Sequence, residues 1–64
     1  MNATEALEMM KAERDVTSGR MGYRWDDKRE LVTYGPIGTN IVVNQFDPEM
    51  FLKFYATTNF KAAR

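Results

Sequence analysis

The chain contains neither cysteine nor histidine, and that absence removes several chemistries at once. No disulfide can staple the fold, no thiolate can act as nucleophile and no imidazole can shuttle a proton. The usual ligands of zinc and other transition metals are missing as well, so no metal and no cofactor is expected. Ser18 is the lone serine, and nothing in the spacing around it specifies a Ser–Lys pair. Asp26 and Asp27 adjoin in a polar stretch where neighbouring side chains diverge, so they read as turn formers rather than an acid–base couple. Catalysis is not expected. No stretch approaches the roughly 20 apolar residues of a membrane span. The start of the chain has early acidic residues and no long apolar run, unlike a secretory signal. A cytoplasmic setting is the expectation.

Net charge is absent too. Nine basic and nine acidic residues cancel, whereas a nucleic-acid binder draws its affinity from a basic excess that neutralises phosphates. Nucleic acid is therefore not the expected partner. With 64 residues there is room for one domain, 1–64. A chain of this size buries only about 60% of the surface its unfolded form exposes, while 44% of its residues are hydrophobic. A small core without staples, carrying a surplus of apolar side chains, predicts a homo-oligomer.

What is present is a regular pattern. Asn2 can cap a first helix, with Glu5 placed to complete a capping box, and Ala3, Ala6, Leu7 and Met10 form one apolar stripe. The helix fades near Glu13, where Asp15-Val16-Thr17 turns β-prone and Ser18-Gly19 reads as a turn or kink. From Met21 to Tyr34 apolar and polar residues alternate about a polar centre, which predicts a β-hairpin. A three-residue loop, Asp26 to Lys28, would set Tyr23 opposite Leu31 and Arg24 opposite Glu30. Gly35-Pro36-Ile37-Gly38 breaks the sheet, and the segment from Asn40 to Phe46 is expected as a third strand around Ile41-Val42-Val43. Asp47 followed by Pro48 is a strong helix start, with Phe46 spaced to pack on Phe51 as a staple. Phe60 is expected either to begin a short last strand or to cover the core. The fold class is α+β: helix, hairpin, third strand, second helix and a possible last strand.

Binding residues follow from the same pattern. Tyr23 and Trp25 can stack on a planar ligand, and Arg20, Arg24 or Arg29 can pair with phosphates. Asn40, Asn44 and Gln45 can hydrogen-bond a ligand, although a sheet rim carries such residues ordinarily. The candidate ligand set is Arg20, Tyr23, Arg24 and Asn40. An aromatic stripe at two-residue spacing is more commonly core or subunit interface, so Met9, Met10, Trp25 and Tyr34 form the candidate contact surface with a second copy or a partner.

The run Glu5-Ala6-Leu7-Glu8-Met9-Met10-Lys11, followed by Val16, resembles the opening of a family of small phage-encoded proteins. Those begin with a helix reading E-A-L-x-x-(M/L)-K and continue through a β-prone Val to an aromatic hairpin. They end on an acid-capped helix and an aromatic in a last strand, where this chain has Asp47-Pro48-Glu49-Met50-Phe51-Leu52 and Asn59-Phe60. The resemblance is to the Thoeris anti-defence proteins of phages, and it covers most of the chain in the order of its elements. It implies a non-catalytic homo-oligomer that sequesters a small cyclic nucleotide signal in the host cytoplasm. The reading that stands beside it is a protein–protein module that inhibits a host enzyme.

Overall fold

The computed structural model describes residues 1–63. Helix α1 (Ala3–Lys11) begins at a full capping box: the Asn2 side chain accepts the Glu5 N–H at 2.9 Å, and the Glu5 carboxylate accepts the Asn2 N–H at 3.0 Å. Its stripe of Ala3, Ala6, Leu7 and Met10 is buried as the spacing requires. The helix stops at Ala12, and Glu13 takes a left-handed φ of 64° that redirects the chain into the sheet. Strands β1 (Val16–Ser18) and β2 (Met21–Asp26) follow, joined by Gly19-Arg20. Gly19 supplies the positive φ, 61°, at the first central position of this two-residue hairpin, as a type II′ turn demands.

Strand β3 (Leu31–Pro36), strand β4 (Asn44–Phe46), helix α2 (Pro48–Phe54) and strand β5 (Lys61–Ala62) complete an α+β fold. The antiparallel sheet runs in the order β4-β3-β2-β1-β5. Both helices lie on one face. There Val16, Tyr23, Val32, Phe51 and Phe60 join the α1 stripe in the core, and Phe51, Tyr55 and Phe60 surround the Tyr23 ring at centroid distances of 5.3–6.2 Å. Phe60 both covers the core and leads into β5, which pairs with β1.

Four expectations need correction. The hairpin loop has four residues, not three: Asp26 pairs with Leu31, Arg24 with Thr33 and Tyr23 with Tyr34. The expected register rested on an exposed Arg24–Glu30 charge pair, and such pairs contribute only about 0–1 kcal/mol. The observed register instead turns Val32 onto the core face, where it is fully buried and its side chain stabilises by about 1.5–3 kcal/mol. The longer loop closes because Asp26 Oδ1 accepts the N–H groups of Lys28 and Arg29, while Glu30 takes a left-handed φ of 54°.

The sheet also continues through Gly35 and Pro36 instead of breaking there. Ile37 donates its N–H to the Arg20 carbonyl on the β2 side, so the nitrogen of Pro36 faces the β4 side. Strand β4 begins only opposite Tyr34, so no ladder bond is lost to the proline. The third strand, in turn, is shorter than expected. Asn40 to Val43 form part of a loop, and only Asn44–Phe46 is β4.

The cap of α2 is as expected, with Asp47 Oδ1 accepting the Met50 N–H at 2.8 Å. The Phe46 ring packs one turn further along than a staple on Phe51, meeting Phe54 and Tyr55 at 5.6 Å each. Among the described residues no helix is long and apolar enough to cross a membrane.

Candidate functional site

In an antiparallel sheet, residues directly opposite one another share a face. Thr17, Gly22 and Gly35 therefore line up across three strands on the face that carries no helix, as do Arg24, Thr33 and Gln45. The loop after β3 folds back over this open face. It is built on a turn in which Thr39 donates its N–H to the Pro36 carbonyl at 3.3 Å, with Gly38 at the positive φ, 81°, that a type II turn requires. The Thr39 hydroxyl donates to the same carbonyl at 2.9 Å and accepts the Ile41 N–H at 3.3 Å. This brings the Ile41 backbone down onto Gly35, where a side chain would collide with it.

Between this loop and the first strands runs a groove of about 180 Å³. Its lining includes Gly22 and Gly35, the latter already covered by the Ile41 backbone, with Asn40 and Ile41 from the loop, Asp15 from the approach to β1 and Arg24 from β2. The Arg24 guanidinium donates to the Asp15 carboxylate at 3.0 and 3.3 Å, with 65% of its side chain exposed. An exposed pair of this kind is worth at most about 1 kcal/mol, so a stronger anion can displace Asp15 from Arg24. Thr33 is nearly buried in the lining and donates its hydroxyl to the Arg24 carbonyl at 3.4 Å. The arrangement offers one displaceable cation and the polar groups of the loop.

The four expected ligand residues divide. Arg24 and Asn40 meet at the groove. Arg20 sits exposed in the β1–β2 turn, away from the groove's lining. Tyr23 also belongs to the groove's lining, but its ring lies on the opposite face, 5% exposed, within the aromatic cluster, where it stacks on protein. Burial, with the Tyr55 hydroxyl beside it, pushes the Tyr23 phenol well above the ordinary tyrosine range.

The expected contact surface is largely interior. Met10 is 2% exposed, and Tyr34 is stacked between Tyr23 at 5.4 Å and Phe46 at 5.6 Å. Met9 and Trp25 are half-buried against the core, and the Lys11 ammonium stands 5.1 Å from the Trp25 ring. The hairpin's aromatic face is thus the inner face of the protomer. Exposed apolar side chains lie elsewhere: Ile37, Ile41, Val42, Val43, Met50 and Phe54.

Sequence reasoning missed Asp15, Gly22 and Gly35 as groove residues. The available signal was glycine inside a strand pattern, which marks close approach of another backbone. No protein-family model, curated protein or solved structure matches the chain, so the site stands on its own geometry.

Proposed function

We propose that this chain is a non-catalytic binding protein of phage type that sequesters a small cyclic nucleotide signal in the host cytoplasm, with the open-face groove as its binding surface. The observation that supports this reading most is that Arg24 and Asn40 line the same groove. Asn40 can hydrogen-bond the edge of a base held there, and Arg24 can exchange Asp15 for a phosphate in a charge-assisted pair. The resemblance of the Glu5–Lys11 helix and the Asp47-capped helix to the anti-defence family supplies the ligand class. At about 180 Å³ the groove is smaller than the roughly 300–1,000 Å³ of common small-molecule sites. This groove by itself therefore covers only part of a nucleotide, in keeping with a ligand held between copies.

Calorimetric titration with cyclic ADP-ribose isomers and cyclic oligonucleotides tests the reading. Arg24→Ala is expected to weaken binding by roughly 1.5–3 kcal/mol while leaving the far-ultraviolet circular dichroism unchanged. Absence of heat with every nucleotide would reject it. A second reading, a module that inhibits a host enzyme through protein contact, is favoured by the exposed Ile41-Val42-Val43 run. Retention of one host protein at stoichiometric amounts, together with loss of that protein's activity and silence toward nucleotides, would select it.

A further inference from the structure

Strand β1 covers only part of β2. Their pairing ends with Val16 opposite Tyr23, whereas β2 runs on to Asp26. In an antiparallel sheet each residue turns its N–H and carbonyl to one neighbouring strand, and successive residues alternate. The Arg20 carbonyl accepts the Ile37 N–H on the β3 side, so Gly22 and Arg24 face β3 while Tyr23 and Trp25 face the β1 side. Past Tyr23 that side has no strand. Arg14, which would stand opposite Trp25, donates its N–H to the Met9 carbonyl at 3.1 Å as the chain leaves α1. Among the described residues no group bonds the Trp25 N–H or carbonyl. An open hollow of about 780 Å³ lies at this edge, lined by Lys11, Glu13, Trp25 and Asp27. The Asp15–Arg24 pair borders it and is shared with the groove.

We infer that the uncovered edge of β2 at Trp25 takes an extended peptide segment carrying basic side chains. The Trp25 N–H and carbonyl supply the two hydrogen bonds by which a strand is added to a sheet edge, and the added segment lies where β1 would have continued. Charge selects its side chains. The lining holds three carboxylates and two cations, of which Asp15 and Arg24 are bound to each other. Glu13 and Asp27 are exposed and make no ion pair among the described residues. The carbonyl end of α1, at Ala12, adds negative partial charge at the same place. The Lys11 ammonium, 5.1 Å from the Trp25 ring, shows that a cation is accommodated against this indole. An arginine or lysine of the segment meets two unpaired carboxylates, whereas an acidic segment finds one cation, Lys11, among them. The contact is with a protein chain and does not depend on what the groove binds.

Titration of the whole chain with capped pentapeptides tests this, read by the fluorescence of Trp25, the sole tryptophan, and by hydrogen exchange at its amide. A peptide alternating threonine and arginine is expected to shift the fluorescence saturably and to slow exchange at the Trp25 amide. One alternating threonine and glutamate is expected to do neither. N-methylation of one alternate set of peptide amides should abolish binding and of the other set leave it, because only one edge of the added strand faces β2. Glu13→Lys and Asp27→Lys, both at exposed positions, are expected to weaken binding severalfold with unchanged circular dichroism. Asn40→Ala, in the groove and not in the hollow, should bind the peptide as the wild type does. No saturable response, equal binding of the two peptides, equal effects of the two methylation patterns, or loss of binding in Asn40→Ala would overturn the inference. So would a fluorescence shift on concentrating the protein alone, which would place a second copy in the hollow.

Discussion

The carbonyl of Ile41 occupies the space in which a Cβ on Gly35 would stand, so strand β3 and the loop that folds over it share a volume that only glycine leaves free. The matching position on β2 is different. A Cβ on Gly22 would meet nothing nearer than Ile37 Cγ1 at 3.8 Å, an ordinary contact. Gly35→Ala is therefore expected to lift the loop and destabilise the fold by about 1–3 kcal/mol, whereas Gly22→Ala should be close to neutral. Urea unfolding of the two variants, with amide shifts of residues 37–43, checks the contrast. Equal effects would show that the loop does not rest on Gly35.

The β2–β3 turn should be sensitive to acid through Asp26. The Arg29 guanidinium, donating at 3.0 Å, holds this carboxyl below its usual value, helped by the Arg29 and Lys28 N–H groups. A group depressed in the folded state contributes stability that is fully present above its unfolded pKa of about 3.9 and is lost as pH falls through the lower folded value. Carboxyl titration by nuclear magnetic resonance should place Asp26 below the ordinary aspartate midpoint. Asp26→Asn should keep the turn, since its amide oxygen can still accept both N–H groups, but should lose this acid dependence. A normal midpoint for Asp26 would refute the assignment.

Caps are the next check, because they were read directly from short-range chemistry. Asn2→Ala and Asp47→Ala each remove an acceptor from a helix N-terminus and should cost about 1 kcal/mol apiece. Glu5→Gln should cost less than Asn2→Ala, since a glutamine still accepts the Asn2 N–H. Denaturant midpoints measure all three, and a neutral Asp47→Ala would mean that α2 is held by Phe51 packing alone.

The sequence made the helices and the existence of the hairpin legible because their causes are local. The Asn2 and Asp47 side chains act within three residues, and the Ala3–Met10 stripe is a property of one helix. The hairpin register was not legible because it depends on which neighbour Val32 finds, and that neighbour comes from helices distant in the chain. The Ile41-Val42-Val43 run has strand propensity, yet the Thr39 turn and the vacancy over Gly35 hold Asn40–Val43 in a loop across the sheet. Of the candidate site, Arg24 and Asn40 could be named by chemical type. That they line one groove required knowing that the loop folds back, and the Tyr23 ring is turned away from that groove because a chain this short needs its aromatics for the core.

Tyr23 carries the last prediction, which concerns alkaline pH. Its ring is enclosed by Tyr34, Phe51, Tyr55 and Phe60, and burial there disfavours the phenolate, raising the folded pKa above the ordinary tyrosine value. A group raised in the folded state contributes stability that is complete below its unfolded pKa, about 10 for tyrosine, and is lost as pH climbs from there toward the folded value. The protein should hold its fold to about pH 10 and then lose stability steeply, with Tyr23 ionising only as the chain opens. Tyr23→Phe keeps the ring but removes the ionisable hydroxyl, so its alkaline limb should move to higher pH. Tyrosinate absorbance recorded alongside circular dichroism separates the outcomes. If Tyr23 ionises at its ordinary value while the dichroism stays constant, its ring is not enclosed as described, and the core built around it would have to be redrawn.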